Sequence, residues 1–78
     1  MTNSIHTNEM LALRSWLKRK REERALNMRE LGKLLGKPHS YIQRVEDGER
    51  RLDVVEFVWY CRALDVDPHI GLSLVESQ

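Results

Sequence analysis

Within "HSYIQRVE", residues 39–46, two kinds of side chain segregate at helical spacing. With His39 at 0° and a step of about 100° per residue, Tyr41, Ile42, Val45 and Glu46 fall between about 200° and 340°. His39, Ser40, Gln43 and Arg44 span about 0° to 140° on the other side. A neutral imidazole can donate or accept, a hydroxyl and a carboxamide do both, and a guanidinium presents a planar fork of donors. Such groups suit recognition: the fork matches guanine O6/N7 or a phosphate, and the others pair with base edges. Plainer readings compete, with His39 as an ordinary surface histidine and Arg44 as the partner of nearby Asp47.

The rest of the chain offers no catalytic alternative. It shows no paired carboxylates of a pocket, no nucleophile with an orienting base and no glycine loop that cradles a phosphate. No Cys or His lies at ligand spacing, so neither a metal nor another cofactor is expected, and no small-molecule ligand is evident. The reading is a binding protein and not an enzyme.

The elements that must hold these residues follow from punctuation and period. Asn8 can cap a first helix through "EMLALRSWLKRKREER", with Leu13, Leu17 and Arg21 at helical spacing. Asn27, with Glu30 three residues on, opens a second helix, "MRELGKLL", whose Met28, Leu31, Leu34 and Leu35 share one face. Gly36 ends it, and Pro38 suits the first turn of the third. Asp53 caps a fourth helix with Val54, Phe57, Val58, Cys61 and Leu64 on one stripe, and Asp67-Pro68 opens a short fifth. No run alternates with the period of a strand. The chain reads as one all-α domain of five helices over residues 1–78, with residues 1–7 and 77–78 expected to be flexible.

Composition agrees. Of 78 residues 41% are hydrophobic and 32% charged, which suits a small globule and argues against disorder. Cys61 is the only cysteine, so no intrachain disulfide can form, and its place on an apolar stripe makes it a buried, inert thiol. With neither a signal peptide nor a membrane-length apolar run, the expected location is the cytoplasm, and no membrane partner is expected. The net charge of +1 hides an asymmetry. Residues 1–37 hold nine Lys/Arg against four Asp/Glu, while residues 52–78 hold one against five. A basic end implies a polyanionic partner, although "KRKREER" also reads as a solvated helix face laced with ion pairs.

Two short helices joined by "GKP", over about residues 27–47, form a helix-turn-helix candidate. Here the chain resembles the phage repressor and Cro-type, or XRE-like, helix-turn-helix family. "MRELGKLLGKPHSYIQRVEDGERRLDVVEFVWYCRALDVDP" carries the resemblance, and the match runs from about Leu13 to Leu72. It implies a compact, lambda-repressor-like five-helix fold that binds double-stranded DNA as a sequence-specific regulator, acting as a repressor, on a palindromic operator. It further implies that His39, Ser40, Gln43 and Arg44 read bases, and that Asn27, Lys37, Arg50 and Arg51 grip phosphates. Family members pair an Arg late in helix one with a Glu ending helix three, places held here by Arg21 and Glu46. Three residues depart from the pattern. Met28 replaces a phosphate-contacting Gln, His39 replaces a Gln that often reads adenine, and Ala25 replaces a glycine after helix one.

A homodimer is expected on separate grounds. Setting Val54 at 0° centres the fourth helix's core stripe near 320° and puts Val55 and Trp59 at about 100° and 140°, facing outward. Ile70 and Leu74 make a second i,i+4 apolar pair, and the four together could form one self-complementary patch. Two other functions compete. An antitoxin or similar protein-binding module would use the same fold but usually carries an extra segment to wrap its partner. Binding of single-stranded RNA would call for stacked aromatics, which the outward face of helix three lacks.

Overall fold

The computed structural model describes residues 4–78. A single 3-10 turn, Ser4–His6, precedes five α-helices: α1 (Asn8–Glu23), α2 (Met28–Leu35), α3 (His39–Glu46), α4 (Val54–Leu64) and α5 (Pro68–Glu76). Each start has a local cause. Thr7 caps α1 by accepting from the Met10 amide at 3.2 Å, so the cap is one residue earlier than Asn8. Asn27–Glu30 and Asp53–Glu56 form complete capping boxes on α2 and α4. Asp67 caps α5 ahead of Pro68. Pro38 is the N-cap residue of α3 and not its first-turn residue, with extended backbone (φ −69°, ψ 159°).

The α-helices close around Trp16, Leu17, Leu31, Ile42, Val45, Phe57, Tyr60, Cys61 and Leu64, all nearly or wholly removed from solvent. α5 lies chiefly along α1, and α2 along α3, so the two short helices of the turn pack mainly on each other. Burial pushes the Cys61 thiol up to about 11, which leaves it a protonated core residue.

The helical wheels misplace two residues and miss two others. Leu34, expected inside, is 60% exposed. The buried side of α2 runs through Gly32, which carries no apolar side chain to announce it. Val54, also expected inside, is 79% exposed because the buried arc of α4 is pulled towards Tyr60. Tyr60 and Trp16 were not part of either predicted stripe. In the 3-10 turn Ile5 is buried and its carbonyl accepts from Arg14 Nη1 at 3.1 Å. At the other end Ser77 is the C-cap of α5. Residues 1–3 of the terminus expected to be flexible lie outside the described residues.

Candidate nucleic-acid interface

The turn between α2 and α3 is fixed by two glycines. Gly36 takes the left-handed conformation (φ 69°) that ends α2, and the Lys37 amide then reaches back to the Gly32 carbonyl at 2.8 Å. Gly32 lies so close to the turn that a Cβ there would meet the Lys37 carbonyl oxygen at 2.5 Å. α3 is thereby held against α2 with Ile42 and Val45 fully buried and Tyr41 partly buried. His39, Ser40, Gln43 and Arg44 are all exposed along the other face, the arrangement that the wheel of α3 gives. Among the described residues Arg44 makes no ion pair, so Asp47 does not claim it.

The far end of α3 is anchored to α1. Arg21 Nε and Nη2 donate to the two carboxylate oxygens of Glu46 at 2.6 and 3.0 Å, a bidentate fork. The side chains are only 10% and 2% exposed. Arg21 Nη1 donates to the Leu26 carbonyl at 2.7 Å, so one guanidinium pins α1, the α1–α2 turn and α3. The Glu46 hydrogen bonds raise the Arg21 pKa against the cost of burial. In that turn Ala25 has φ 54°, so the residue standing where the family often has glycine keeps the left-handed backbone.

The residues expected at phosphates sit in unlike settings. Asn27 is exposed and spends its carboxamide oxygen on the Glu30 amide at 2.8 Å, leaving the NH2 group available to a ligand. Met28, in place of a phosphate-contacting Gln, packs against the core. Arg51 is exposed and makes no ion pair among the described residues. Lys37 Nζ lies 5.5 Å from the centre of the Tyr41 ring, and the Arg50 guanidinium 4.8 Å from it. Arg50 Nη2 also donates to Glu56 Oε2, which accepts from the Tyr41 hydroxyl at 3.1 Å. The Tyr41 hydroxyl is thereby committed within the protein.

Glu56 is the residue that the sequence reading overlooked. Its other carboxylate oxygen accepts from the Asp53 amide at 3.0 Å, completing the α4 capping box. That backbone hydrogen bond, with those from Tyr41 and Arg50, holds its pKa below the usual value against partial desolvation. The spacing Asp53-x-x-Glu56 was a legible sign of the box. The link to Tyr41 and Arg50 was not, because it joins α3, the following loop and α4.

The Helix-turn-helix family (HTH_3) matches residues 17–70, which span α2, the turn, α3 and α4 whole. The chain belongs to the XRE-type helix-turn-helix family. It is similar to an XRE-family like protein from Pseudomonas syringae pv. tomato, at 38% identity and a TM-score of 0.85 over 95% of this chain and 90% of that one. It is also similar to the restriction-modification controller protein C.AhdI from Aeromonas hydrophila, at 26% identity and a TM-score of 0.76 over 83% and 98% of the two chains. The clp gene regulator ClgR from Corynebacterium glutamicum shares the fold at 20% identity and a TM-score of 0.79 over 91% and 76%. No curated protein matches the chain. Among the described residues no helix of this XRE-type chain is long and apolar enough to cross a membrane.

The four dimer candidates do not share one exposure. Val55, Trp59 and Ile70 are 55%, 48% and 53% exposed, whereas Leu74 is partly buried against the core. Trp59 instead borders a shallow apolar depression with Leu34, Leu35, Arg62 and Ala63.

Proposed function

We propose that this chain is a sequence-specific transcriptional regulator that binds double-stranded DNA with α3 in the major groove. The observation that carries this reading is the exposed polar face of α3, with His39, Ser40, Gln43 and Arg44 presented by a helix whose other face is seated in the core. A helix so held can offer three or four side chains to base edges while flanking cations engage the backbone. Asn27, Lys37, Arg50 and Arg51 flank it as those cations and donors. That C.AhdI is a restriction-modification controller protein agrees with the assignment.

Acting as a repressor on a palindromic operator, the chain binds as a homodimer whose two copies of α3 enter the groove about 34 Å apart, one turn of B-DNA. The exposed Val55, Trp59 and Ile70 support an apolar two-fold contact with Leu74 at its edge. Sedimentation equilibrium tests the assembly. Trp59→Asp should yield a helical monomer with weakened duplex binding, and a wild-type chain that remains monomeric at tens of micromolar removes the dimer from the account.

A further inference from the structure

The loop after α3 does not run free. The amides of Glu49 and Arg50 both return to the Arg44 carbonyl, at 2.8 and 3.2 Å, folding the loop back over the last turn of α3. That return places Arg50 beside Arg44, Ser40, Tyr41 and Pro38, around an open recess of about 220 Å³. A guanidinium has five N–H donors, and Glu56 takes up one of Arg50's. The recess therefore has one guanidinium held in place, a second that makes no ion pair among the described residues, and the Ser40 side chain on its wall. Long cationic side chains lose rotamer freedom when they bind, so one already stacked and hydrogen-bonded has less to lose.

We infer that Tyr41 is a positioning residue whose ring holds Arg50, with Lys37 at the same ring, for a single DNA backbone phosphate at the Arg50 edge of the recess, leaving Ser40 and Arg44 on its α3 side to the base edges. The inference rests on the DNA-binding reading above and deepens it. Tyr41 touches no phosphate itself. Its hydroxyl stays a neutral donor to Glu56, because burial and that hydrogen bond both raise its pKa, while the ring face itself carries the Arg50 guanidinium. Glu56 completes the clamp from α4, so the phosphate seat is tied to the helix that follows it.

The test uses the full chain and a fixed mixed-sequence duplex, with affinity followed by fluorescence anisotropy between about 50 and 200 mM salt. Each phosphate contact contributes about 0.9 to the slope of log K on log salt. Arg50→Ala should flatten that slope by about one unit, and Tyr41→Leu should flatten it equally. Tyr41→Phe should keep the wild-type slope, since the ring remains, and Tyr41→Leu added to Arg50→Ala should change nothing further. Circular dichroism confirms folding of each variant, and Tyr41→Met repeats the comparison if the leucine variant does not fold. A folded Tyr41→Leu or Tyr41→Met chain with the wild-type slope overturns the inference while leaving DNA binding intact. Loss of slope in Tyr41→Phe as well would assign the positioning to the hydroxyl and overturn the role of the ring. A wild-type chain that binds no duplex overturns both readings together.

Discussion

Two Arg–Glu pairs flank α3, and they do opposite things with the same chemistry. Arg21–Glu46 is nearly removed from solvent and closes a bidentate fork, with a third bond to the Leu26 carbonyl. Its hydrogen-bonding capacity is turned inward, and it fixes where the end of α3 lies. Arg50–Glu56 keeps its arginine side chain 42% exposed, uses a single guanidinium donor and shares its carboxylate with Tyr41 and the α4 cap. One pair sets the helix and the other leaves a cation available at its edge. Burial, more than the presence of an ion pair, separates a strut from a contact.

The largest effect should come from breaking the inner pair. Glu46→Ala leaves the Arg21 charge without its partner in a buried site, and should cost about 3 kcal/mol of stability, read as a lowered melting temperature. An unmoved melting temperature would make the two pairs equivalent and remove the contrast.

The outer pair should matter far less to stability, about 1 kcal/mol or below, as expected for an exposed pair. Glu56→Gln keeps the capping geometry, since its oxygen can accept from the Asp53 amide, and replaces the charged acceptor facing Tyr41 and Arg50 with an uncharged NH2 donor. Its pH dependence has a definite sign. The folded pKa of Glu56 lies below its ordinary value, so its stabilisation is complete above that value and is lost as pH falls through the folded one. Thermal melts taken from pH 5 down to about pH 3 should therefore fall less steeply in Glu56→Gln than in the wild type. Parallel curves would mean that the carboxylate contributes no linkage.

A smaller effect sharpens the inner region. Ala25 holds φ 54° in a turn that Arg21 also pins through Leu26. Ala25→Gly should relieve the left-handed strain and lose part of the gain to the freer unfolded chain, for a net stabilisation of about 0.5–1 kcal/mol. A lower denaturation midpoint in that variant would show the turn to be unstrained.

The inner region was also the more legible in sequence. Arg21 and Glu46 could be paired from the family pattern, and the faces of α3 from the period of "HSYIQRVE", because buried Ile42 and Val45 leave a helix two turns long no other face to bury. Asn27, Glu30, Gly36, Asp53 and Asp67 marked helix ends because capping is local chemistry. What failed was less local. Leu34 is apolar, but the inward position belongs to Gly32, where α2 must approach the turn. Val54 begins α4 beyond the arc that Tyr60 helps define. The Tyr41–Glu56–Arg50 cluster needed three segments brought together, which no single-helix wheel can show.

The central claim is that the exposed face of α3 reads DNA sequence, and selection from a random duplex library tests it most directly. Wild-type chain should enrich one motif whose halves are related by a two-fold, and Gln43→Ala and Arg44→Ala should each relax preference at particular bases, by about 1–3 kcal/mol per lost bidentate contact. Enrichment of no motif by the wild type, or of the same motif with the same stringency by both variants, would contradict the account.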